Sequence, residues 1–430
     1  MVVLGFTAQK RLKQRWLLRL VYGVSAFIMM VFLFRVTRCN LFSDFLIAYY
    51  PAGHLIRQNP SDLYKVATGV SVAGFVNIPI FALLFVPFSI LPEYVAGRAF
   101  TILGLVTTFA TCYFLIKLTK VSGWRQLVLV GMFASNGPLL YSLKEGNITH
   151  FLLPVLLAAF FCLETKREVW LGVLLAIVIL SKPALLLLGA YFILRKRWKV
   201  LAAMSRTLLI VTSASLLLFG VDLHRIWFQN CILPFIGKPL PAFNVQSLDS
   251  FLVRLWLNND DLITHLSKPV AWLPIEVDWK YKLLRYTLLS LLVGGTIWLC
   301  WCSRTPATLE VENLEFSIFL CLTLISSPIS WTHYYLLLLL PFSLYLGGKL
   351  AVPNGPPWSG WVMLSVLLTS LPVIFVNHVS PALKPLVYKL LVSHYFFGGI
   401  LVLVVFLAAR WSASLSLSPR RLASRSGRFY

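Results

Sequence analysis

Long apolar runs recur along the chain, and short polar or basic stretches separate them. A helix crosses the hydrocarbon core of a membrane with about 20 apolar residues. The runs do not alternate between apolar and polar residues, as the strands of a membrane β-barrel do. The pattern therefore predicts an all-α, polytopic bundle of transmembrane helices. Its thirteen apolar segments lie at residues 16–36, 72–91, 95–117, 126–143, 148–163, 169–181, 184–194, 200–220, 283–302, 316–329, 334–347, 359–376 and 387–409.

Composition supports a bilayer as the solvent of this chain. Hydrophobic residues make up 59% of the 430 residues and charged residues only 12%. The 38 Lys and Arg exceed the 15 Asp and Glu, which gives a net charge of +23. In a soluble protein such an excess indicates nucleic acid. Here the basic residues lie mostly at segment ends, where they act as topology signals, and we expect no nucleic-acid partner.

The basic residues also predict the orientation of the chain. Lys and Arg in short loops stay on the cytoplasmic side. Such residues precede the first segment, follow the last one, and lie in the loops at 166–167 and 195–199. Both termini are then cytoplasmic and the number of crossings is even, about 12. One segment, which we expect within 72–117, is re-entrant or interfacial. The chain is predicted to be a multi-pass protein of the cell membrane.

Two predicted outer loops are long, at residues 39–70 and 221–282. The spacing of aromatic and aliphatic residues in the first is typical of a short amphipathic helix on the membrane surface. Neither loop is long enough for an independent soluble domain. We therefore predict one transmembrane catalytic domain over residues 1–411. Residues 412–430 are rich in Ser and Arg and are predicted to form a disordered cytoplasmic tail.

The motifs of nucleotide-binding folds do not occur in this sequence. Neither a strand followed by GxGxxG nor a GxxxxGK[ST] stretch is present. If the chain transfers a group, the donor is therefore expected to arrive through the membrane phase, attached to a lipid. No His, Cys or carboxylate residues have metal-ligand spacing, so we predict neither a metal nor another cofactor.

Asp44 is the candidate catalytic residue. It follows directly on the first apolar run, in a chain that has few acidic residues. A carboxylate at the level of the lipid headgroups can accept a proton from a hydroxyl. The alternative is an aspartate that caps a helix or lies at the interface.

Lys182 and His333 interrupt apolar segments. A lysine at the centre of a span costs about 2.5–3.5 kcal/mol on insertion scales, so Lys182, next to Pro183, is expected to face a polar cavity. There it would be a cation for a phosphate leaving group; the alternative is a lysine that snorkels to the interface. His333 lies in a polar, aromatic break and binds phosphate or a sugar hydroxyl, or is a packed, hydrogen-bonded residue.

Three further polar residues are candidates for substrate contacts. Asn147 follows Gly146 in a second break between apolar runs. Gln246 and Arg254 lie in the second outer loop and are weaker candidates.

The motifs together resemble glycosyltransferase family 87, whose members are multispanning enzymes of GT-C type. The resemblance runs in order from about residue 40 to residue 345. It is carried by Asp44-Phe45 with Tyr49-Tyr50, Asn59-Pro60-Ser61-Asp62-Leu63-Tyr64, Glu145-Gly146-Asn147, Ser181-Lys182-Pro183, Asn244-Val245-Gln246-Ser247-Leu248 through Arg254, and Ser327-Pro328-Ile329-Ser330-Trp331-Thr332-His333-Tyr334.

The resemblance implies a GT-C fold and an inverting transfer of a sugar, mannose above all, from a polyprenyl-phosphate donor to a lipid or glycan hydroxyl at the extracytoplasmic face. Asp44 would be the general base. The predicted substrate contacts are His333, Lys182, Asn147, Arg254, Tyr49, Tyr64 and Gln246. The resemblance also implies that a monophosphate donor is used without a metal.

Two other functions fit an apolar chain with polar residues inside its spans. A transporter or flippase of lipid-linked sugars would need such residues, but it predicts two related halves, which the sequence does not show. A membrane scaffold without activity would leave Asp44, Lys182 and His333 unexplained.

Overall fold

The computed structural model describes residues 42–65, 74–262, 274–302, 306, 308–373, 380 and 382–416. Every named element in these ranges is helical, and one isolated antiparallel bridge joins Val245 to Trp331. The predicted first span at 16–36 lies outside the described residues. So does the chain after residue 416, and the last helix passes the predicted domain boundary at 411 before it ends.

The first half of the chain forms short helices in the predicted outer loop and longer ones after it. A π-helix, Phe45–Tyr49, leads into α1, and 3-10 turns occur at Pro60–Asp62, Pro79–Phe85 and Pro183–Leu187. The α-helices are α1 (Tyr50–Gln58), α2 (Val86–Ser89), α3 (Glu93–Thr119), α4 (Trp124–Ser135), α5 (Gly137–Glu145), α6 (Thr149–Glu164), α7 (Glu168–Ser181) and α8 (Leu188–Leu194).

The second half continues with helices that short irregular turns interrupt. These turns occur at Phe228–Ile232, Leu233–Phe235, Thr332–Leu338 and Leu391–Ser393. The α-helices are α9 (Trp198–Trp227), α10 (Leu248–Trp256), α11 (Trp279–Cys302), α12 (Leu309–Ser326), α13 (Leu339–Leu346), α14 (Pro356–Ser370), α15 (Lys384–Lys389) and α16 (His394–Ser416).

The described residues contain 4 helical stretches that are long and apolar enough to cross a membrane: Glu93–Thr119, Trp198–Phe235, Trp279–Cys302 and Lys384–Leu415. The pair α4 and α5, bent by 41°, makes a fifth if it is one span. The chain is thus an all-α membrane protein, and the count of about 12 crossings stays a prediction. Several predicted segments fold as shorter helices, because a break at Asn136 divides one of them and the 3-10 turns Pro183–Leu187 and Thr332–Leu338 form the start of two others.

Helix α12 is the centre of the bundle. Every side chain from Val311 to Ile325 is buried, which is typical of a helix surrounded by other helices. It packs against α16, while α7 packs against α6 and α9. Gly172 of α7 lies so close to α9 that a Cβ atom there would be 2.4 Å from the carbonyl oxygen of Val200. Small residues allow helices in a membrane to approach in this way.

One end of the bundle contains a cluster of ion pairs, which we call the ionic end. Residues near the N-termini of α7 and α12 and the C-termini of α6 and α16 meet there. The cytoplasmic side is marked in the sequence by four basic residues of the ionic end, Lys166, Arg195, Arg197 and Arg410. The members are Glu164, Lys166, Glu168, Arg195, Arg197, Glu312, Glu315, Lys349 and Arg410.

Candidate active site

A cavity of about 330 Å³ lies at the opposite ends of these helices. Residues from the C-termini of α5 and α7 and from the turn that precedes α13 contribute to its wall. Of the residues predicted from the sequence, Asp44, Tyr49, Asn147, Lys182 and His333 line it. The other lining residues are Ser43, Ile47, Ala48, Gly74, Val76, Tyr141, Glu145, Asn244, Trp331 and Tyr334.

Asp44 stands at the start of the π-helix Phe45–Tyr49, and Asn147 holds its side chain. The Asn147 Nδ2 group donates a hydrogen bond of 2.7 Å to the Asp44 carboxylate. Gly146, just before, has a φ of 67°, the left-handed conformation that ends α5. A Cβ atom at Gly146 would lie 2.7 Å from Cβ of Phe45, so glycine permits the close approach of the two segments.

A second set of contacts links the same two segments. The Ser43 hydroxyl donates to the Glu145 carboxylate, and the backbone N–H of Phe42 donates to the Lys144 carbonyl at 2.9 Å. Lys144 Nζ also lies 3.3 Å from Glu145 Oε1 as an ion pair. The segment with Asp44 is thereby fixed to the end of α5.

Lys182 lies where α7 ends, and its backbone φ of −140° takes the chain out of the helix before Pro183. Its side chain is buried, and its Nζ atom lies 4.7 Å from the centroid of the Tyr334 ring. Within the described chain, Lys182 forms no salt bridge. The ring face attracts an ammonium group, but it does not neutralise the charge.

The bridge between Val245 and Trp331 joins the two loops that precede α10 and α13. The backbone N–H of Gln246 donates to the Ser330 carbonyl at 2.6 Å on one side of it. These contacts join segments that are far apart in the sequence, so they fix one wall of the cavity only when the whole bundle has folded.

His333 lies in the segment that this bridge holds in place. The backbone N–H of Thr332 donates to the Asn244 carbonyl at 2.8 Å. The rings of Trp331 and His333 are nearly parallel, at 12°, with centroids 6.4 Å apart. Asn244, Trp331 and His333 therefore belong to the same wall of the cavity.

The surroundings of Asp44 set the basicity of its carboxylate. Burial raises the pKa of Asp44 above its ordinary value, because the charged form loses hydration. The hydrogen bond from Asn147 and the positive charge of Lys182 lower that pKa, but they do not cancel the effect of burial. The resulting carboxylate is a better proton acceptor than an exposed aspartate.

Arg254 is not among the residues of the cavity wall, although the resemblance implies that it lines the same cavity. It is fully buried, and its guanidinium donates to the carbonyls of Ala242 and Val245 at 2.9 and 3.0 Å. The same guanidinium donates to the Ser393 hydroxyl at 2.9 Å. The structure thus places Arg254 against its own loop, because its terminal nitrogens donate to two carbonyls of that loop and to Ser393; its Nε atom has no partner among the described residues.

Gln246 is likewise outside the cavity wall. Its side-chain amide donates to the carbonyls of Phe243 and Val392 at 2.8 and 2.6 Å. Gln246 therefore ties the second outer loop to the segment before α16. The role of Gln246 and Arg254 as substrate contacts stays a prediction that these hydrogen bonds do not favour.

Tyr64 is the third predicted substrate contact that lies outside the cavity wall. It stabilises the site through hydrogen bonds behind that wall. Its hydroxyl donates to the Asn77 carbonyl at 2.7 Å, and Asn77 Nδ2 donates to the Ser181 carbonyl at 2.9 Å. Ser181 directly precedes Lys182. Tyr64 is therefore a support of the helix end that carries Lys182, two contacts away from the cavity.

The structure also adds residues that the sequence pattern does not single out. Glu145, Tyr141, Asn244, Trp331 and Tyr334 all line the cavity. The scarcity of acidic residues, which drew attention to Asp44, applies equally to Glu145. The aromatic residues had no such signal, since aromatic side chains occur throughout the apolar runs. In the described part of the chain, no three His, Cys, Asp or Glu side chains are grouped as metal ligands.

Comparison with protein families gives a match. The sequence model of glycosyltransferase family 87 matches residues 75–328. This range includes Asn147, Lys182 and Asn244, and it ends before His333. Searches of curated proteins and of solved structures returned no match.

Proposed function

Because the chain belongs to glycosyltransferase family 87, we propose that it moves a sugar, mannose above all, from a polyprenyl-phosphate donor to a hydroxyl group of a lipid or glycan. The reaction inverts the anomeric carbon and takes place in the cavity that Asp44 and Lys182 line. The single observation that carries this proposal is a carboxylate and an ammonium group in one cavity, neither in a salt bridge within the described chain.

Asp44 is the general base of the proposed reaction. The acceptor oxygen attacks the anomeric carbon, and its proton passes to the Asp44 carboxylate as the new carbon–oxygen bond forms. The bond between the anomeric carbon and the phosphate oxygen breaks, and the electron pair leaves with the polyprenyl phosphate. The raised pKa of Asp44 favours this role, since a base works best when its pKa lies near the working pH.

Lys182 stabilises the phosphate that departs. A buried cation interacts strongly with charge that develops in the transition state, because little water is present to screen it. His333 lies in the same cavity and offers a ring nitrogen to a phosphate oxygen or a sugar hydroxyl. Tyr49 is part of the same wall and is a further contact for the sugar.

The apolar part of the wall fits a lipid-linked donor. Ile47 and Val76 line the cavity, and 50% and 38% of their surfaces are exposed. Exposed apolar side chains next to a polar cavity are typical of a site for a ligand with both kinds of surface. A volume of about 330 Å³ suits a sugar phosphate rather than a long chain, so the polyprenyl tail extends past this apolar side.

The ionic end supports an extracytoplasmic cavity. Helix α7 has 14 residues and spans about 21 Å, with Glu168 at the ionic end and Lys182 directly after its other end. The basic residues of the ionic end are expected in the cytoplasm. The cavity then lies toward the outer face, together with the lipid or glycan acceptor.

Purified protein in liposomes, supplied with radiolabelled polyprenyl-phosphate mannose and a lipid extract as acceptor, tests the proposal. We expect transfer by the wild-type protein and a loss of about 10²- to 10⁴-fold in Asp44→Asn, the range for removal of a general base. Asp62→Asn is the matched control, since Asp62 lies in the same outer segment and pairs with Lys65. Translocation of the donor without transfer would contradict the proposal in favour of a flippase.

A further inference from the structure

The side chain of Asn147 is engaged within the protein at both of its polar atoms. Its Oδ1 atom accepts hydrogen bonds from the backbone N–H and the hydroxyl of Thr149, at 3.0 and 2.7 Å. Its Nδ2 group donates to Asp44 at 2.7 Å. Asn147 and Thr149 are buried, with 4% and 0% of their surfaces exposed.

This arrangement leaves the amide only one favourable orientation. Rotation of the amide by 180° would turn its NH₂ group toward the two donors of Thr149 and its oxygen toward the Asp44 carboxylate. The contact of the NH₂ group with the backbone N–H of Thr149 would be repulsive, and so would that of the amide oxygen with the carboxylate, because each brings together groups of the same polarity. Only the Thr149 hydroxyl could rotate and accept from the NH₂ group. Thr149 therefore determines which face of Asn147 meets Asp44.

We propose that Asn147 and Thr149 are positioning residues, which hold the Asp44 carboxylate toward the cavity, and that Asn147 is not a substrate contact. This inference rests on the proposed function, because it assigns a role to residues that act through its base. A carboxylate held by a fixed donor loses less freedom at the transition state than one that rotates.

Several groups around Asp44 affect its pKa, and therefore the pH dependence of the reaction. The Asn147 hydrogen bond lowers the pKa of Asp44, as does the charge of Lys182. The other titratable groups that interact with Asp44 from neighbouring elements are Tyr49, Tyr141, Glu145 and Tyr334. Substitution of Thr149 leaves all of these in place, so a change in the acid limb of the pH profile reports on the amide.

Thr149→Val is the informative variant, because valine keeps the shape of threonine and removes its hydroxyl. One of two donors that fix the amide is lost, and we expect kcat to fall by roughly two- to tenfold, the value of one buried hydrogen bond. The KM for the donor should stay unchanged. The acid limb of kcat/KM should move to higher pH, since a weaker bond from Asn147 lowers the pKa of Asp44 less. Thr149→Ser retains a hydroxyl and should restore both values.

Thr165→Val is the matched control. Thr165 lies just past the other end of α6, and its hydroxyl donates to the Phe161 carbonyl at 2.8 Å. Thr165 is exposed, so Thr165→Val reports the loss of a threonine hydroxyl at an end of α6 away from the cavity, and the shift of the acid limb should appear only in Thr149→Val.

The outcomes separate this inference from the proposed function. If Thr149→Val has a wild-type kcat and acid limb while Asp44→Asn is inactive, the positioning role is overturned and the base assignment stands. If Asn147→Ala raises the KM for a substrate at unchanged kcat, Asn147 is a substrate contact and the inference is also wrong. An active Asp44→Asn variant overturns the base assignment, and the positioning role falls with it.

Discussion

The two ends of the helix bundle differ in the partners of their buried charged side chains. At the ionic end, Glu315 binds both Arg195 and Arg410, each with a contact of 2.7 Å. At the cavity, Asp44 has a neutral amide as its hydrogen-bond partner and Lys182 has the face of a ring. At the ionic end, charges of opposite sign therefore meet in direct contact. In the cavity, Asp44 and Lys182 form no ion pair within the described chain, although Glu145 of the same wall pairs with Lys144.

The difference indicates different uses of the same residue types. A buried charge without a partner costs several kcal/mol, while hydrogen-bonded pairs recover much of that cost. The ionic end therefore contributes to the fold, because Glu312 and Glu315 each join basic residues from separate parts of the chain. In the cavity, the charges of Asp44 and Lys182 are available to a ligand, which is typical of functional sites.

The largest effect on stability is expected at the ionic end. Glu315→Gln removes the charge that Arg195 and Arg410 share, and both guanidinium groups then stay buried without that counter-charge. We expect a loss of about 3–5 kcal/mol in the free energy of unfolding, the range for one partner of a buried ion pair. Thermal unfolding in detergent measures it. The matched control is Glu310→Gln, an exposed position in the same helix; equal losses in the two variants would contradict the distinction.

The second effect is on catalysis at the cavity. Lys182→Met replaces the cation with a neutral side chain of similar length, and we expect kcat to fall by about 100-fold, as when one stabilising group of a transition state is lost. The charge of Lys182 lowers the pKa of Asp44, so its removal raises that pKa. The acid limb of kcat/KM should then move to higher pH. The exposed Lys199→Met is the control, and an unchanged acid limb in Lys182→Met would separate Lys182 from Asp44.

The smallest effect concerns the apolar side of the cavity. Ile47→Ser removes apolar surface that we expect the donor lipid to cover, which amounts to about 1 kcal/mol for a half-exposed side chain. The KM for the polyprenyl donor should rise about fivefold, with the KM for the acceptor unchanged. Leu84→Ser is the control, since Leu84 is 62% exposed and is not among the lining residues. A higher KM for the acceptor instead would place the acceptor at Ile47.

The sequence pattern predicts the helices better than their breaks. The apolar run at 95–117 corresponds to α3, and that at 283–302 corresponds to α11. The run at 334–347 begins instead as the 3-10 turn Thr332–Leu338 before α13. A run of apolar residues gives no sign of such a change, because side-chain polarity is the same in both kinds of helix.

The residues of the candidate site also differ in how far the sequence predicts them. Asp44, Lys182 and His333 are polar residues at interruptions of apolar segments, and interruptions are visible in a sequence. Arg254 is equally conspicuous, but its terminal nitrogens donate to carbonyls of its own loop and to the Ser393 hydroxyl. Contacts between segments that are distant in the chain decide whether a polar residue faces a cavity or supports a loop. Such contacts leave no local pattern in a single sequence.

The role of Asp44 as the general base is tested most directly by two properties of one variant. Asp44→Asn keeps the size of the side chain and removes its charge. We therefore predict an apparent unfolding temperature at or above that of the wild type, with transfer from polyprenyl-phosphate mannose reduced at least about 100-fold. Asp44→Asn protein that unfolds earlier, as Glu315→Gln is expected to do, but still transfers the sugar at the wild-type rate would contradict this role.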